Sequence, residues 1–541
     1  TPAPVIPPVT ASFDFTPNAP TTADTLQFND RSSGTPTSWT WSFGDGSVSY
    51  QQNPQHRYGA AGTYMVTVTV ANSVSSSQAT RSITVAPIAP YRSLVSATAQ
   101  TNGAGGSVWR TELTILNAGS ESAFGQLILL PGAGGSIQSR PLYLAPRQAV
   151  TYANALLDIY GISSGVGAIA IEANGANSTP TLKVTSRTFT TSTSGGTYGQ
   201  SVPEVSASDL QTTLYITGIE SDAAYRTNIG LVNRSDATVG AALVLYDANG
   251  NVIGSTGTSI PANNFSQGIL ASYFPQIANL QLSGLSMRVD ASSSDAISAY
   301  ASVIDNRTQD PVYIQAAPLR SGSERLIPAV GRAGGANGTF WRSDVTLYNP
   351  TSSSMTVALR YLAANTDNSS PLSRSLVIQP GHTIVIADVL QNWFGLSSGT
   401  GSLAISNAPI VTSRTYTTAS GGGTYGQSID PAAAFGTDAW VPGLRSDSSF
   451  RSNVGFVNNG TSTIGVTLTL VASNGQTVGN GFVTLAPRSM TQGSVANFFP
   501  GVDVASLGSF TLEAHSDTGS LFAYGSIVDN NSGDPVFYAG E

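Results

Sequence analysis

The 541-residue chain contains no cysteine. Disulfide bonds, thiolate metal sites and a cysteine nucleophile are therefore excluded. Charged residues make up only 10% of the chain, and Lys183 is the one lysine. Because neutralising phosphate groups requires clustered Lys and Arg, this composition argues against nucleic acid as a partner. No apolar run reaches the roughly 18 residues that a membrane helix needs, so we expect no membrane insertion.

Histidine is also scarce, which restricts the chemistry available to the chain. The three histidines are His56, His382 and His515. They are far apart in the sequence, and none has a second histidine at metal-ligand spacing. No GxSxG motif accompanies them, and the glycine-rich stretches lack the GxxxxGK pattern of a phosphate loop. We therefore expect no catalytic site, no cofactor and no enzyme activity.

Calcium is the one cofactor that the composition leaves open. Four aspartates near the N-terminus could supply oxygen ligands: Asp14, Asp24, Asp30 and Asp45. No DxDxDG loop is present, and aspartate commonly caps turns through its own backbone. We favour the turn-capping interpretation.

The chain is long enough for about four or five domains of ordinary size. It is rich in Gly, Ser and Thr, carries a formal net charge of −8 and begins at Thr1 rather than methionine. We expect an exported chain from which a signal peptide has been removed, located outside the cell or on its surface.

The N-terminal region combines a proline-rich arm with short alternating segments. Prolines at positions 2, 4, 7 and 8 predict an extended arm over residues 1–9. The segments ASFDFTP, SWTWSFGDG, NPQHRY and GTYMVTVTV follow in that order. This region, residues 10–88, resembles a PKD domain, and the resemblance implies an extracellular immunoglobulin-like sandwich. On this interpretation Asp45 and Gly46 form a tight turn, to which His56 makes a hydrogen bond.

The rest of the chain is repetitive. Four segments share an aromatic residue, an arginine, a Ser or Thr and a strand ending in Asn: VWRTELTILN, AYRTNIGLVN, FWRSDVTLYN and SFRSNVGFVN, which start at residues 108, 224, 340 and 449. SRTFTTSTSGGTYGQS returns as SRTYTTASGGGTYGQS, and SVIDNRTQDPVYI returns as SIVDNNSGDPVFY. The period is therefore two repeats, which we name A (89–207), B (208–320), A′ (321–434) and B′ (435–541). We predict an all-β fold, a tandem array of five immunoglobulin-like β-sandwich domains.

The repeated arginines are candidate interface residues: Arg110, Arg226, Arg342 and Arg451. Each follows an aromatic residue, so each could bind a glycan or a protein partner through a planar cation and a ring. We favour a structural role, in which the arginine ties its strand to a neighbouring loop or to the next domain.

These features predict an extracellular structural protein, either a surface-filament subunit or an adhesin stalk. Five domains end to end would span about 200 Å. The arm carries Val5, Ile6, Val9 and Phe13, which we expect to pack against another copy of the chain in a head-to-tail filament. Two alternatives remain: a non-catalytic accessory region of a secreted hydrolase, and a surface protein that binds glycans through exposed Tyr198 and Tyr425.

Overall fold

The computed structural model describes the whole chain except residues 1–4, 23, 88–89, 104–105, 192–194, 295–296, 321–323, 408, 433 and 541, and the side chain of residue 337. These described residues form two compact units. Unit 1 holds residues 1–91 and 173–180, and unit 2 holds residues 92–172 and 181–541. Each unit is nearly all β, as the alternating segments predict.

Residues 10–88 form a sandwich of a three-stranded and a four-stranded antiparallel sheet. The strand orders are β1-β2-β5 and β4-β3-β6-β7. Their bounds are β1 Phe13–Thr16, β2 Leu26–Asp30, β3 Ser38–Ser42, β4 Val48–Ser49, β5 Gln55–His56, β6 Gly62–Ala71 and β7 Ser76–Val85. Trp41 is fully buried between the sheets, together with Phe28 and Val68. The predicted turn is present, since Asp45 accepts a hydrogen bond from the Ser47 backbone N–H, and its carboxylate lies 2.7 Å from Nε2 of His56.

The expectation that the arm packs on another subunit is wrong for Val9 and Phe13. Both side chains are buried in the core of their own sandwich, at 6% and 1% exposure. The Val9 backbone N–H donates to the Ser75 hydroxyl at 2.8 Å, and Thr10 bridges Ser33. The apolar side chains that made these residues candidates for docking in trans face the core at the start of their own sandwich. Val5 and Ile6 are exposed, and residues 1–4 of the arm lie outside the described part of the chain.

Repeats A and A′ have sheets joined through one long first strand. In A this strand is β8, which pairs with β9 over its C-terminal part and with β16 over its N-terminal part. The elements of A are β8 Tyr91–Asn102, β9 Val108–Asn117, β10 Ala123–Pro131, β11 Gln138–Leu144, β12 Ala149–Tyr152, α1 Ala155–Tyr160, β13 Gly165–Gly175, β14 Leu182–Thr191, β15 Thr197–Ser201 and β16 Glu204–Ser206.

Repeats B and B′ are sandwiches of two four-stranded sheets with the same strand order in both. The elements of B, after a 3₁₀ turn at Ala207–Asp209, are β17 Thr213–Ser221, β18 Tyr225–Asn233, β19 Val239–Tyr246, β20 Val252–Ile260, β21 Asn264–Ile269, α2 Leu270–Tyr273, a 3₁₀ turn at Pro275–Ile277, β22 Leu282–Ala291, β23 Ile297–Asp305 and β24 Pro311–Gln315.

The second pair repeats this organisation. The elements of A′ are β25 Arg325–Gly334, a 3₁₀ turn at Ala336–Gly338, β26 Phe340–Tyr348, β27 Met355–Ala363, β28 Leu372–Ile378, β29 Thr383–Ile386, a π-helix at Val389–Trp393, β30 Gly399–Ile405, β31 Ile410–Thr418 and β32 Thr424–Ser428. Those of B′ are β33 Asp438–Arg445, β34 Phe450–Asn458, β35 Ile464–Ala472, β36 Thr477–Leu485, β37 Ser489–Ser494, α3 Val495–Phe498, a 3₁₀ turn at Val504–Leu507, β38 Ser509–His515, β39 Leu521–Asp529 and β40 Pro535–Ala539.

The asparagine that ends each repeated segment explains part of the motif. Asn117 is fully buried, and its Nδ2 donates to the backbone carbonyls of Glu121, Leu144 and Ala145. Asn233 and Asn458 make the corresponding bonds at the same offsets of 4, 27 and 28 residues, and Asn349 makes them at offsets of 4, 29 and 30. A side chain that satisfies three buried carbonyls fixes the loop across the end of the sandwich.

The four repeats do not follow one another end to end, which corrects the extended arrangement expected from the sequence. Within unit 2, A contacts B through the hydroxyls of Ser96 and Ser298, 2.8 Å apart. B′ contacts A as well, since Arg147 Nη2 donates to Glu513 at 2.8 Å across 366 residues of sequence. The first and last repeats therefore meet, and the four repeats close on themselves.

Candidate functional site

The four repeated arginines lie near the starts of corresponding strands, β9, β18, β26 and β34. In B and B′ the arginine holds the loop after the long buried strand of its own repeat. Arg226 donates to Asn306 and Gln309 at 2.9 Å each, and Arg451 donates to Asn530 at 2.8 Å.

In A and A′ the corresponding arginine packs over a ring instead. Arg110 lies 5.6 Å from the centroid of Phe189, and Arg342 lies 5.8 Å from that of Tyr416. These contacts agree with the structural interpretation within each repeat. Binding of a glycan or a protein partner by the four arginines stays a prediction.

The most unusual chemistry of unit 2 lies where four short strands meet. Strands β15 and β32 carry the repeated TYGQS sequence, while β24 and β40 begin at the proline of the repeated Asp-Pro sequence. The sequence shows each motif twice, but it does not show that the two motifs contact each other. In the structure each TYGQS strand docks against an Asp-Pro loop of a different repeat.

Repeat A docks on B′ through one aspartate at each end of the B′ loop. Asp529 accepts the backbone N–H and the hydroxyl of Thr197, at 2.9 and 2.7 Å. Asp534 accepts the backbone N–H of Gly199 at 2.9 Å and lies 3.3 Å from Nη2 of Arg187. These partners all belong to A, while the other oxygen of Asp529 accepts the backbone N–H groups of Asn531 and Ser532 in its own loop.

Repeat A′ docks on B with the same set of contacts. Asp305 accepts the backbone N–H and the hydroxyl of Thr424, at 2.8 and 3.0 Å. Asp310 accepts the backbone N–H of Gly426 at 2.9 Å and lies 3.6 Å from Nη2 of Arg414. Corresponding residues of the two dockings are separated by 227 positions in A and A′ and by 224 in B and B′. The two dockings therefore use the same contacts at corresponding positions, which relates the A–B′ and A′–B pairs of unit 2 to each other as pseudo-equivalent halves.

A glutamine on each TYGQS strand adds contacts with the neighbouring repeat. Gln200 accepts the Ser302 hydroxyl of B at 2.8 Å, and Gln427 accepts the Ser526 hydroxyl of B′ at 3.0 Å. Each TYGQS strand therefore contacts both B-type repeats at once, which closes the ring of four.

Asp310 and Asp534 face each other at the centre. Both side chains are fully buried, and among the described residues neither Oδ1 has a hydrogen-bond partner outside this pair. When both carboxyl groups are ionised, all of their oxygens are acceptors, so no hydrogen bond can form between them. A close contact therefore requires a proton on one of the two, which also removes the repulsion between like charges. Burial, and then the charge of its partner, raise the pKa of Asp310 well above its ordinary value. Burial likewise raises the pKa of Asp534. We infer that the pair holds a proton, because two ionised carboxylates buried beside each other would repel.

Tyr198 and Tyr425 pack beside this pair, and Tyr425 is buried, so the expectation that it is exposed to a glycan is wrong. Their ring centroids are 6.4 Å apart, and Tyr425 is buried at 8% exposure. Burial raises the pKa of both phenols, as does the charge of the adjacent Asp534. The buried Tyr425 ring offers no face to a ligand, whereas Tyr198 is half-buried and its role in glycan binding stays a prediction.

The structure does not bring together the aspartates considered for calcium. Asp14 pairs with Arg31 at 2.7 Å, Asp24 accepts the Thr21 hydroxyl at 2.8 Å, and Asp30 accepts the Trp39 indole N–H at 2.8 Å. Across the described residues there is no group of three or more His, Cys, Asp or Glu side chains placed to hold a metal ion. His515 lies beside Asp438 at 2.7 Å. None of the helices described is both long and apolar enough to span a bilayer.

The comparisons with known proteins identify the N-terminal domain. The family model of the PKD domain matches residues 1–86. Residues 1–86 are therefore a PKD domain, and the rest of the chain consists of repeated β-sandwich domains. PKD and immunoglobulin-like β repeats are typically non-catalytic modules.

Among solved structures, the chain is similar to the PKD1 domain from Vibrio cholerae metalloprotease PrtV, with 26% identity over 15% of this chain and 98% of that one, at a TM-score of 0.14. It is also similar to carbohydrate-binding modules of the β-sandwich superfamily, with 13% identity over 58% of this chain and 98% of that one, at 0.17. A tetra-tandem repeat from the extending region of a large adhesion protein shows 12% identity over 99% and 98%, at 0.11. A comparison with curated proteins gave no match.

Proposed function

We propose that this chain is an extracellular, non-catalytic structural protein of the adhesin type, in which repeats A, B, A′ and B′ form one preassembled platform. The observation that supports the proposal most directly is that aspartates at the contacts between repeats bind one repeat to another. Asp305, Asp310, Asp529 and Asp534 all hold one repeat against another. Carboxylates that bind another repeat are not accessible to a substrate. They therefore support a structural role and do not support catalysis.

The cysteine-free composition agrees with this proposal. Without disulfides, an exported array of small domains has to gain stability from packing and hydrogen bonding between its parts. The reciprocal docking in unit 2 supplies such contacts, while the PKD domain adds a module typical of extracellular proteins. The proposal covers two forms of the platform, an adhesin head and a filament subunit. Val9 and Phe13 do not support assembly in trans, because both are buried in their own domain.

Antibody labelling of intact cells that produce the protein tests its location and role. We expect surface labelling of unpermeabilised cells, together with weaker attachment of a deletion strain to surfaces, restored by the wild-type gene. Labelling that requires permeabilisation would refute the proposal, as would hydrolysis of peptide, ester or glycoside substrates by the purified chain. Negative-stain imaging distinguishes the two forms, because a filament subunit gives fibres whereas an adhesin gives discrete particles.

A further inference from the structure

A cavity of about 290 Å³ lies between repeats A and B of unit 2. This volume is close to the lower end of the range for small-molecule sites, roughly 300 to 1,000 Å³, so it suits a small ligand. The side chains around it combine one indole ring, four carboxamides, several hydroxyls and one guanidinium. The polar residues used below are Trp109, Gln200, Arg226, Asn228, Gln267 and Thr98. No carboxylate or lysine lines it.

The indole is held in place by the chain around it. A Cβ added at Gly103 would lie 2.4 Å from Nε1 of Trp109, so the backbone there packs directly against the ring edge. Gly103 also lines the cavity, and its N–H donates to the Ser107 carbonyl at 2.8 Å. The ring is half-buried, which leaves part of its surface to the cavity. An aromatic surface of this kind is suited to the apolar face of a sugar ring.

The guanidinium is equally fixed, and its charge has no direct counterion among the described ion pairs. Arg226 donates to the side-chain oxygens of Asn306 and Gln309, both of which are neutral. Carboxylates bind to guanidinium groups through short, charge-assisted hydrogen bonds. The charge of Asp305 acts on Arg226, but the two form no direct ion pair among the described residues. The guanidinium therefore remains complementary to an acidic ligand.

We propose that this cavity binds a small acidic saccharide, of the uronic acid type, with the sugar ring against Trp109 and its carboxylate toward Arg226. The carboxamides of Asn228, Gln200 and Gln267 supply N–H donors for the sugar hydroxyls. The oxygens of Gln200 and Gln267 already accept the hydroxyls of Ser302 and Tyr300. The proposal rests on the cavity and is independent of where the chain is located, so surface labelling and saccharide binding succeed or fail separately.

The second pair of repeats supplies matched controls. Trp341 and Arg451 stand at the positions of Trp109 and Arg226 in the motif. However, Thr98 and Thr101, which line the cavity, correspond to Val330 and Ala333 in A′. Two hydroxyls are thus replaced by apolar groups, and we expect the second pair to bind the saccharide far less well.

Saturation-transfer NMR of the full chain with galacturonic acid, and with galactose as the neutral probe, tests the proposal. We expect transfer to galacturonic acid, at least about tenfold weaker binding of galactose, and loss of transfer in Trp109→Ala, whereas Trp341→Ala retains it. Arg226→Gln should bind both sugars equally weakly, while Arg451→Gln keeps the preference for the acid.

Three outcomes would overturn the proposal: no transfer to galacturonic acid, equal binding of both sugars by the wild type, or unchanged binding in Trp109→Ala. Circular dichroism and thermal unfolding of each variant show whether its fold is retained. If Trp109→Ala fails to fold, Arg226→Gln with its control decides the question alone, and an unchanged preference for the acid in that variant refutes the proposal.

Discussion

Aspartates at the two ends of one loop have opposite electrostatic properties. Burial alone would raise the pKa of Asp529, but hydrogen bonds from the Ser532 backbone and from Thr197 outweigh it, so the pKa is lowered. Asp534, five residues later, is fully buried opposite Asp310, and its pKa is raised. The outer carboxylate therefore acts as a charged acceptor, while the inner pair depends on a shared proton.

The shared proton predicts a pH dependence of stability. The pKa values of Asp310 and Asp534 are raised above the roughly 3.9 of an unfolded aspartic acid. Their contribution to the free energy of unfolding is thus fully present below that pH and is lost as the pH rises through the raised values. The unfolding temperature of unit 2 should fall between pH 5 and pH 8. The charged groups beside the pair are Arg187, Arg414 and Asp529, and the phenols of Tyr198 and Tyr425 also lie beside it.

Asp310→Asn isolates this contribution, because an amide keeps a donor toward Asp534 but does not titrate. The fall in unfolding temperature from pH 5 to pH 8 should be clearly smaller in this variant. Asp236→Asn, at an exposed position of the same repeat, should retain the wild-type slope. An Asp310→Asn protein as pH-dependent as the wild type would contradict a shared proton.

Val9 predicts a second effect, within the PKD domain. Its side chain is buried at 6% exposure, so Val9→Ala removes about 1.5 kcal/mol of burial, plus a cavity contribution. Hydrogen exchange of the β6 backbone in the full chain should become faster by about tenfold or more. Val5→Ala, at 93% exposure, should leave exchange unchanged. Equal exchange in the two variants would show that Val9 is not part of this core.

The hairpins illustrate what could be predicted at the level of elements. The Asn-Gly pairs of YDANGNVIG and VASNGQTVG correctly predict the antiparallel pairing of β19 with β20 and of β35 with β36. Gly250 and Gly475 both have positive φ, which is why glycine is needed there. Local turn chemistry makes such elements readable from the sequence alone.

The docking of TYGQS strands could not be predicted in the same way. Thr197 and Asp529 are 332 residues apart, and nothing in either motif states which partner it meets. The same limit explains the error about Tyr425, since its burial depends on contacts between repeats and not on its own strand. The one usable signal was that both motifs recur with the same period, which suggests that they serve a common purpose.

Glycine and tyrosine form a cross-strand pair in each B-type repeat. Gly230 lies opposite Tyr300, and Gly455 lies opposite Tyr524. A Cβ at Gly230 would be 2.1 Å from the ring of Tyr300, which is fully buried. The glycine leaves the space in which the ring lies flat across the sheet, as in aromatic rescue of strand glycines.

Gly230→Ala should therefore destabilise repeat B by about 1 to 3 kcal/mol through overpacking. Gly257→Ala is the matched control, because nothing lies within 4 Å of a Cβ built at that strand position. Denaturant unfolding followed by circular dichroism measures both. A Gly230→Ala protein as stable as Gly257→Ala would mean that Tyr300 does not occupy this space.

At the scale of the whole molecule, closure of the four repeats changes the functional interpretation. A linear stalk gains length from each added domain, whereas repeats that close on themselves gain fixed relative positions and shared interfaces. Repeats A and B′ depend on each other through Arg147 and Glu513, and through Glu112 and Arg445, whose charged groups lie 3.1 Å apart. Unit 2 is thus better suited to presenting a defined surface than to providing reach.

Disulfide trapping between repeats A and B′ tests this closure most directly, because the chain has no cysteine of its own. The hydroxyls of Thr151 and Ser509 lie 3.5 Å apart across 358 residues, and Thr151 is exposed. On mild oxidation, Thr151→Cys/Ser509→Cys should form an intramolecular disulfide, detected as a faster-migrating monomer on a non-reducing gel and as a linked peptide by mass spectrometry. Each single variant should lack that species. If the double variant stays reduced or links only into dimers, repeats A and B′ do not meet and the closed arrangement is wrong.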